Sequence, residues 1–148
     1  MIVPDVLSTS VIFIYIIPFI LYLFTGNFIH IKALLGIVGT TAISESLKFF
    51  IIGKTSSRPQ GAKDCNLLCN DGNQSGKPGM PSSHSASTAF FSGFYIQQTD
   101  NKIIKGLLII YTGLVMLSRY MKSCHTINQI VVGAILGASL SWLVVRHL

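Results

Sequence analysis

The chain has 148 residues, 50% of them hydrophobic and only 11% charged, with a mean hydropathy of +0.60. That is too little charge to coat a soluble domain of this size, so the composition excludes one. The formal net charge of +6 comes from 11 basic and 5 acidic residues. These basic residues are scattered and form no stripe, which argues against nucleic-acid binding; they suit helix-end anchoring and contact with anionic lipid headgroups.

A bilayer core about 30 Å thick calls for about 20 apolar residues per helix. The first such stretch is Val6 to Phe24, with Pro18 expected to kink it. It lacks a basic leader and a small-residue cleavage site, so it reads as a retained span. After the turn TGNFIHIK, a second span runs from about Ile31 to Gly53 and carries Glu45 and Lys48 near its far end. A polar loop, about 54–81, is rich in Gly, Ser, Asn, Asp and Lys. The third span begins at the SSHS segment and ends near Gln98; its many small residues favour close helix packing. The turn QQTDNK leads to a fourth span, about Ile103 to Met121, and a break at Lys122 to Cys124 precedes a fifth, about His125 to Val145. Gly133 and Gly137 form a GxxxG pair on that last helix, a packing signal. No repeat or linker divides the chain. The reading is an all-α polytopic helical membrane bundle of about five spans, forming a single domain over residues 1–148.

Counting crossings puts three places on one face of the membrane: the end of span two, the start of span three and the junction of spans four and five. Polar residues concentrate there. Lys48, Lys54 and Arg58 come from the first place, Ser82, Ser83 and His84 from the second, and Arg119, Lys122 and His125 from the third. Ionisable groups that face one another at a membrane surface are functional candidates. Several fixed cations suit a multiply charged anion, and an arginine fork matches phosphate oxygens. The PSSHS segment opens a helix, where free N–H groups favour an anion. Two histidines can divide nucleophile and acid roles near neutral pH.

The cysteines are Cys65, Cys69 and Cys124. In an oxidising compartment, Cys65 and Cys69 would be placed for a local disulfide; in cytosol they would be free thiols. Their spacing gives no zinc site.

Taken together, these segments resemble the type 2 phosphatidic acid phosphatase superfamily, which also includes the vanadium haloperoxidases. The family pattern is a Lys upstream of Arg-Pro, then PSGH, then SR-x5-H-x3-D. Here the parts read Arg58-Pro59 with Lys48 or Lys54 upstream, Pro81-Ser82-Ser83-His84, and Ser118-Arg119 followed by His125 and Gln129. Two departures stand out. Nine residues separate Lys48 from Arg58 and three separate Lys54 from it, neither being the family spacing. Lys48 is the preferred phosphate ligand because it lies in the second span, and an added helical turn keeps it on nearly the same face; Lys54 is the alternative. Gln129 stands where the family has Asp. Both Gly79-Met80-Pro81-Ser82-Ser83-His84-Ser85 and His125-Thr126-Ile127-Asn128-Gln129 look like the dolichyl-diphosphate phosphatase branch.

The resemblance implies hydrolysis of a lipid phosphate or diphosphate through a phosphohistidine on His125. His84 would serve as acid, and Gln129 would hold the His125 tautomer. Lys48, Arg58, Ser82, Ser83 and Arg119 would bind phosphate. No metal or cofactor is expected. The alternatives are a phosphatidic acid or other lipid monophosphate phosphatase, and an inactive membrane protein of the same fold. The sequon Asn73-Gln74-Ser75 and the loop cysteines favour a lumenal site, and the resemblance implies that the lumen is that of the endoplasmic reticulum.

Overall fold

Lipid offers no partner for a backbone N–H or C=O, so an apolar run in it closes its hydrogen bonds as a helix. A computed structural model describes residues 2–147. Its helices are α1 (Ile2–Thr9), α2 (Ile12–Thr25), α3 (Ile29–Ser46), α4 (Ser83–Ile96), α5 (Lys102–Met121) and α6 (Ile127–His147). Winding continues past α3 as a π-helical segment, Leu47–Ile52, and a 3₁₀ turn, Gly53–Ser56. Among the described residues there is no strand. Two isolated bridges, Ser57 with Pro78 and Lys63 with Asn73, pin the long loop.

Among the described residues, four stretches are long and apolar enough to cross a membrane: Ile2–Thr25, Ile29–Ser56, Lys102–Met121 and Ile127–His147. The chain is a multi-pass helical membrane protein. The sequence reading expects five spans, and the difference is α4. At 14 residues it is about 21 Å long, short of the hydrocarbon core. It packs against α2, α3, α5 and α6; ten of its 14 residues are buried and the other four are half-buried. A helix walled in by other helices needs no apolar outer face, which explains its high serine content. Elsewhere the polarity of a soluble protein is reversed. Ser8, Ser44, Ser87 and Ser118 are buried, whereas Leu107, Ile109 and Ile110 are each about 60% exposed.

The interruption in the first span falls at Ser10–Val11, between α1 and α2, rather than at Pro18, which sits buried inside α2. Short hydroxyl side chains compete with the helix for backbone groups. Ser10 Oγ donates to Leu7 O at 2.7 Å and pairs with the Tyr111 hydroxyl at 3.1 Å.

The long loop is folded back on itself. Arg58 N–H donates to Lys77 O at 2.8 Å, Gln74 N–H to Ala62 O at 2.8 Å, and Asp64 N–H to Gly72 O at 2.9 Å. A local Cys65–Cys69 bridge does not form; Cys65 is bonded to Cys124. The reason lies in how Cys65 is held. Its N–H donates to Asp71 Oδ1 at 2.6 Å and its carbonyl accepts from Arg119, which turns it toward the α5–α6 connection. Cys69 is a free thiol facing Thr9 of α1, 3.7 Å from its hydroxyl. The disulfide thereby ties the loop to the residue preceding His125.

Close approach of α4 and α6 rests on Gly133 and Gly137. A Cβ at Gly133 would run into the backbone of Ser82, and one at Gly137 into the carbonyl of Ala86. Overpacking costs about 1–3 kcal/mol, and more where the obstacle is backbone that cannot move aside. Gly137→Val is therefore expected to lower the melting temperature of the detergent-solubilised protein markedly. Gly106→Val, on a face of α5 with nothing within 4 Å, should be tolerated. Equal melting of the two variants would show that the α4–α6 contact does not limit stability.

Candidate active site

Residues singled out in the sequence reach one cavity of about 320 Å³ from four chain segments. The π-helical segment after α3 supplies Lys48, the long loop supplies Arg58, the first turn of α4 supplies Ser83 and His84, and the α5–α6 connection supplies His125. The winding after α3 explains the unusual spacing of Lys48 and Arg58. A π turn and a 3₁₀ turn take up the additional residues, and π turns inside helices often mark functional sites. Lys48 turns inward and is 2% exposed, whereas Lys54 is exposed on the 3₁₀ turn and does not line the cavity.

His125 is 2% exposed, and its two ring nitrogens are distinguished by their surroundings. Gln129 Nε2 donates to Ser57 O at 2.9 Å and to Ser56 O at 3.2 Å. Carbonyls only accept, so these bonds fix the amide orientation. Gln129 Oε1 then faces His125 Nδ1 at 3.3 Å and accepts from Thr126 N–H at 3.1 Å. Nδ1 must carry the proton, leaving an unprotonated Nε2 directed at Arg58 Nη1, 3.5 Å away. Burial, with the charges of Arg58, Arg119 and Lys48, holds His125 well below the ordinary histidine range. Gly79 leaves room for the Gln129 amide: a Cβ there would lie 2.7 Å from Oε1 and 2.8 Å from Nε2.

The other residues singled out in the sequence are placed differently. Ser82 caps α4: its Oγ accepts from Ser85 N–H at 3.5 Å and from Ser85 Oγ–H at 3.1 Å, while its own N–H donates to Gln129 O at 3.0 Å. It does not line the cavity, and neither does Arg119. Arg119 is wholly buried and donates to Ser8 Oγ and to Cys65 O. Among the described residues, three buried nitrogens, Arg58 Nε, His84 Nε2 and Arg119 Nε, have no hydrogen-bond partner, which is uncommon for buried polar groups.

Sequence reasoning passed over Glu45, Asp71 and the hydroxyls of Tyr15, Thr41 and Ser87, which also line the cavity. The three hydroxyls are linked, Tyr15 to Thr41 at 2.7 Å and Thr41 to Ser87 at 2.8 Å. Glu45 had a signal in its position three residues before Lys48; Tyr15, inside an apolar run, had none. His125 also borders a more open hollow of about 620 Å³ with Pro59, Tyr120 and Met121. Neither Lys48, Arg58 nor His84 faces that hollow, so the smaller cavity is the chemically equipped one.

A polytopic bundle whose polar cavity gathers a lysine, an arginine and two histidines is a membrane protein equipped to receive an anion. The family model of the PAP2 superfamily matches residues 29–148, and the chain belongs to that superfamily. Its phosphatase members are phosphoric-ester hydrolases of lipid phosphates. Comparison with curated proteins and with solved structures gives no match.

In a titration followed by ¹⁵N NMR of labelled histidine, the His125 ring should stay neutral, with the proton on Nδ1, at pH values where a free histidine is already protonated. Protonation within the ordinary range would contradict the assigned surroundings.

Proposed function

We propose that the protein hydrolyses a polyisoprenyl diphosphate of the dolichyl type through a phosphohistidine on His125. The observation that carries this reading is the bare Nε2 of His125, held against Arg58 in a cavity where His84 Nε2 and Arg58 Nε are buried without partners. A phosphoryl group brings the acceptors that these donors lack. Phosphoryl transfer needs positioned cations and an in-line nucleophile, and little covalent help beyond that.

In the first step Nε2 attacks the terminal phosphorus and the bond to the leaving oxygen breaks, with His84, protonated once the negative headgroup offsets the surrounding cations, passing that proton to the leaving oxygen. In the second step His84 takes a proton from water, which attacks the phosphohistidine and frees inorganic phosphate. Lys48, Arg58 and Ser83 hold the equatorial oxygens at the cavity wall. Ser82 contributes by fixing the first turn of α4, and Arg119 by its charge and its unpartnered Nε behind that wall.

The substrate class is supported by the GMPSSHS segment and by how well Gln129 fits its surroundings. Its Nε2 meets two backbone carbonyls, so a carboxylate at the same place would set lone pairs against lone pairs. The glutamine reads as built in, in keeping with the diphosphate-cleaving branch. A lumenal site in the endoplasmic reticulum is supported by the Cys65–Cys124 disulfide, which suits an oxidising compartment, and by the exposed Asn73 of the loop sequon.

The test is phosphate release from an isoprenoid diphosphate and from phosphatidic acid, by wild type and His125→Ala. The diphosphate should be preferred, and His125→Ala should lose roughly 10³-fold or more. Preference for phosphatidic acid would overturn the substrate class, and equal release by the two proteins would remove His125 as nucleophile. Gln129→Glu is expected to lower activity by roughly ten- to a hundredfold, through the repelled carbonyls. A gain in activity would instead mark Gln129 as a decayed carboxylate site.

A further inference from the structure

We infer that Glu45 is an internal anion that competes with phosphate for Lys48 and Ser83 and so speeds release of inorganic phosphate. This rests on the reading that those two residues bind the phosphoryl group. Glu45 Oε1 accepts from Lys48 Nζ at 2.6 Å and from Ser83 Oγ, and Lys48 Nζ also reaches Ser83 Oγ at 2.8 Å. Ser44 Oγ pairs with the same hydroxyl at 3.0 Å. The two donors therefore already converge on a single carboxylate oxygen, the arrangement in which they would grip one oxygen of a phosphate.

The two partners of this ion pair are unequally placed. The Lys48 side chain is 3% exposed and that of Glu45 is 40% exposed. The buried ammonium cannot leave and needs an anion beside it. The carboxylate borders the cavity, where it has room to swing aside. A phosphate oxygen arriving at Lys48 and Ser83 displaces Glu45 from both donors and satisfies the ammonium in its place. While phosphate is bound, the displaced carboxylate lies in the same cavity as a like charge, which repels the phosphate. As inorganic phosphate leaves, Glu45 returns to its donors. No bond is made or broken in this exchange; it trades one charge-assisted pair for another. Its consequence is a site that binds phosphate less tightly than its cations alone would.

Glu45→Gln keeps the shape and an acceptor oxygen for Lys48 and Ser83 but removes the charge. The experiment is binding of inorganic phosphate to the full-length, detergent-solubilised protein, followed by ³¹P NMR, beside steady-state kinetics. Glu45→Gln should bind phosphate roughly tenfold more tightly, with the charge effect discounted for the partly exposed carboxylate. Its KM should fall, and kcat should fall with it where product release limits turnover. Glu45→Asp keeps the charge but draws it back by one methylene, so its phosphate affinity should lie between those of the other two proteins. Affinity equal to or below that of the wild type in either variant would overturn the proposal and reduce Glu45 to a residue that positions Lys48. Failure of the wild type to bind phosphate at all would overturn the phosphate-binding reading and this inference together.

Discussion

The contact between α4 and α6 is the constraint on which the rest of the molecule depends. With hydrogen in place of side chains at Gly133 and Gly137, the α6 backbone lies directly on Ser82 and Ala86. The first turn of α4 is thereby fixed to the first turn of α6, and the Ser82 N–H bond to Gln129 O joins them at the membrane surface. His84 and His125 sit one on each side of this joint. Through Gln129 Nε2 the same joint reaches the carbonyls of Ser56 and Ser57, next to Arg58. One packing contact between small residues thus sets the relative positions of both histidines and an arginine drawn from three distant parts of the sequence.

Buried charge imposes a second requirement. Lys48 and Arg119 are almost fully enclosed, and each would be costly without partners. Each is met by groups that also do structural work. Arg119 draws Ser8 of α1 and the Cys65 carbonyl onto α5, next to the Cys65–Cys124 disulfide. On the same face, Lys122 pairs with Asp5 of α1. These contacts hold the long loop down over the cavity, so the cations help to shape the site they charge.

What the sequence made legible follows from the physics of each feature. Apolar run lengths located α2, α3, α5 and α6, because a helix in lipid must close its own hydrogen bonds over a fixed thickness. Counting crossings placed Lys48, Arg58, His84 and His125 on one side because α4, although short and enclosed, still leads the chain away from the cavity and α5 brings it back. The status of α4 was not legible: hydropathy reads composition, and α4 is enclosed by neighbours that no local pattern reveals. The Cys65–Cys124 bond depends on a folded loop held by Asp71 and Arg119, and Cys65 and Cys69 were simply nearer in sequence. The break at Ser10 went unseen because proline is the louder local signal, although the run Ser8-Thr9-Ser10 supplied the competing hydroxyls. Ser82 and Arg119 were recognisable as polar residues in a telling pattern; that their hydrogen bonds are spent on a helix cap and on Ser8 and Cys65 is a matter of tertiary contact.

Gln129 unites these strands. A carboxylate behind a histidine fixes its tautomer and favours its protonated form; an amide can do only the first. Here the cations around His125 already oppose protonation, and a neutral partner adds no strong counter-pull. On the proposed reading the nucleophile therefore waits in its reactive, unprotonated state without needing a base to free it. The charge that develops on the ring during attack is met by the phosphoryl group itself, whose oxygens are brought to the same nitrogen. The site then depends on keeping several cations close to a neutral histidine, and the neutral amide lets their field act on the phosphate instead of being partly cancelled behind the ring. That is a coherent electrostatic arrangement for a doubly charged headgroup, and it gives Gln129 a physical role that the loss of a carboxylate would not by itself suggest.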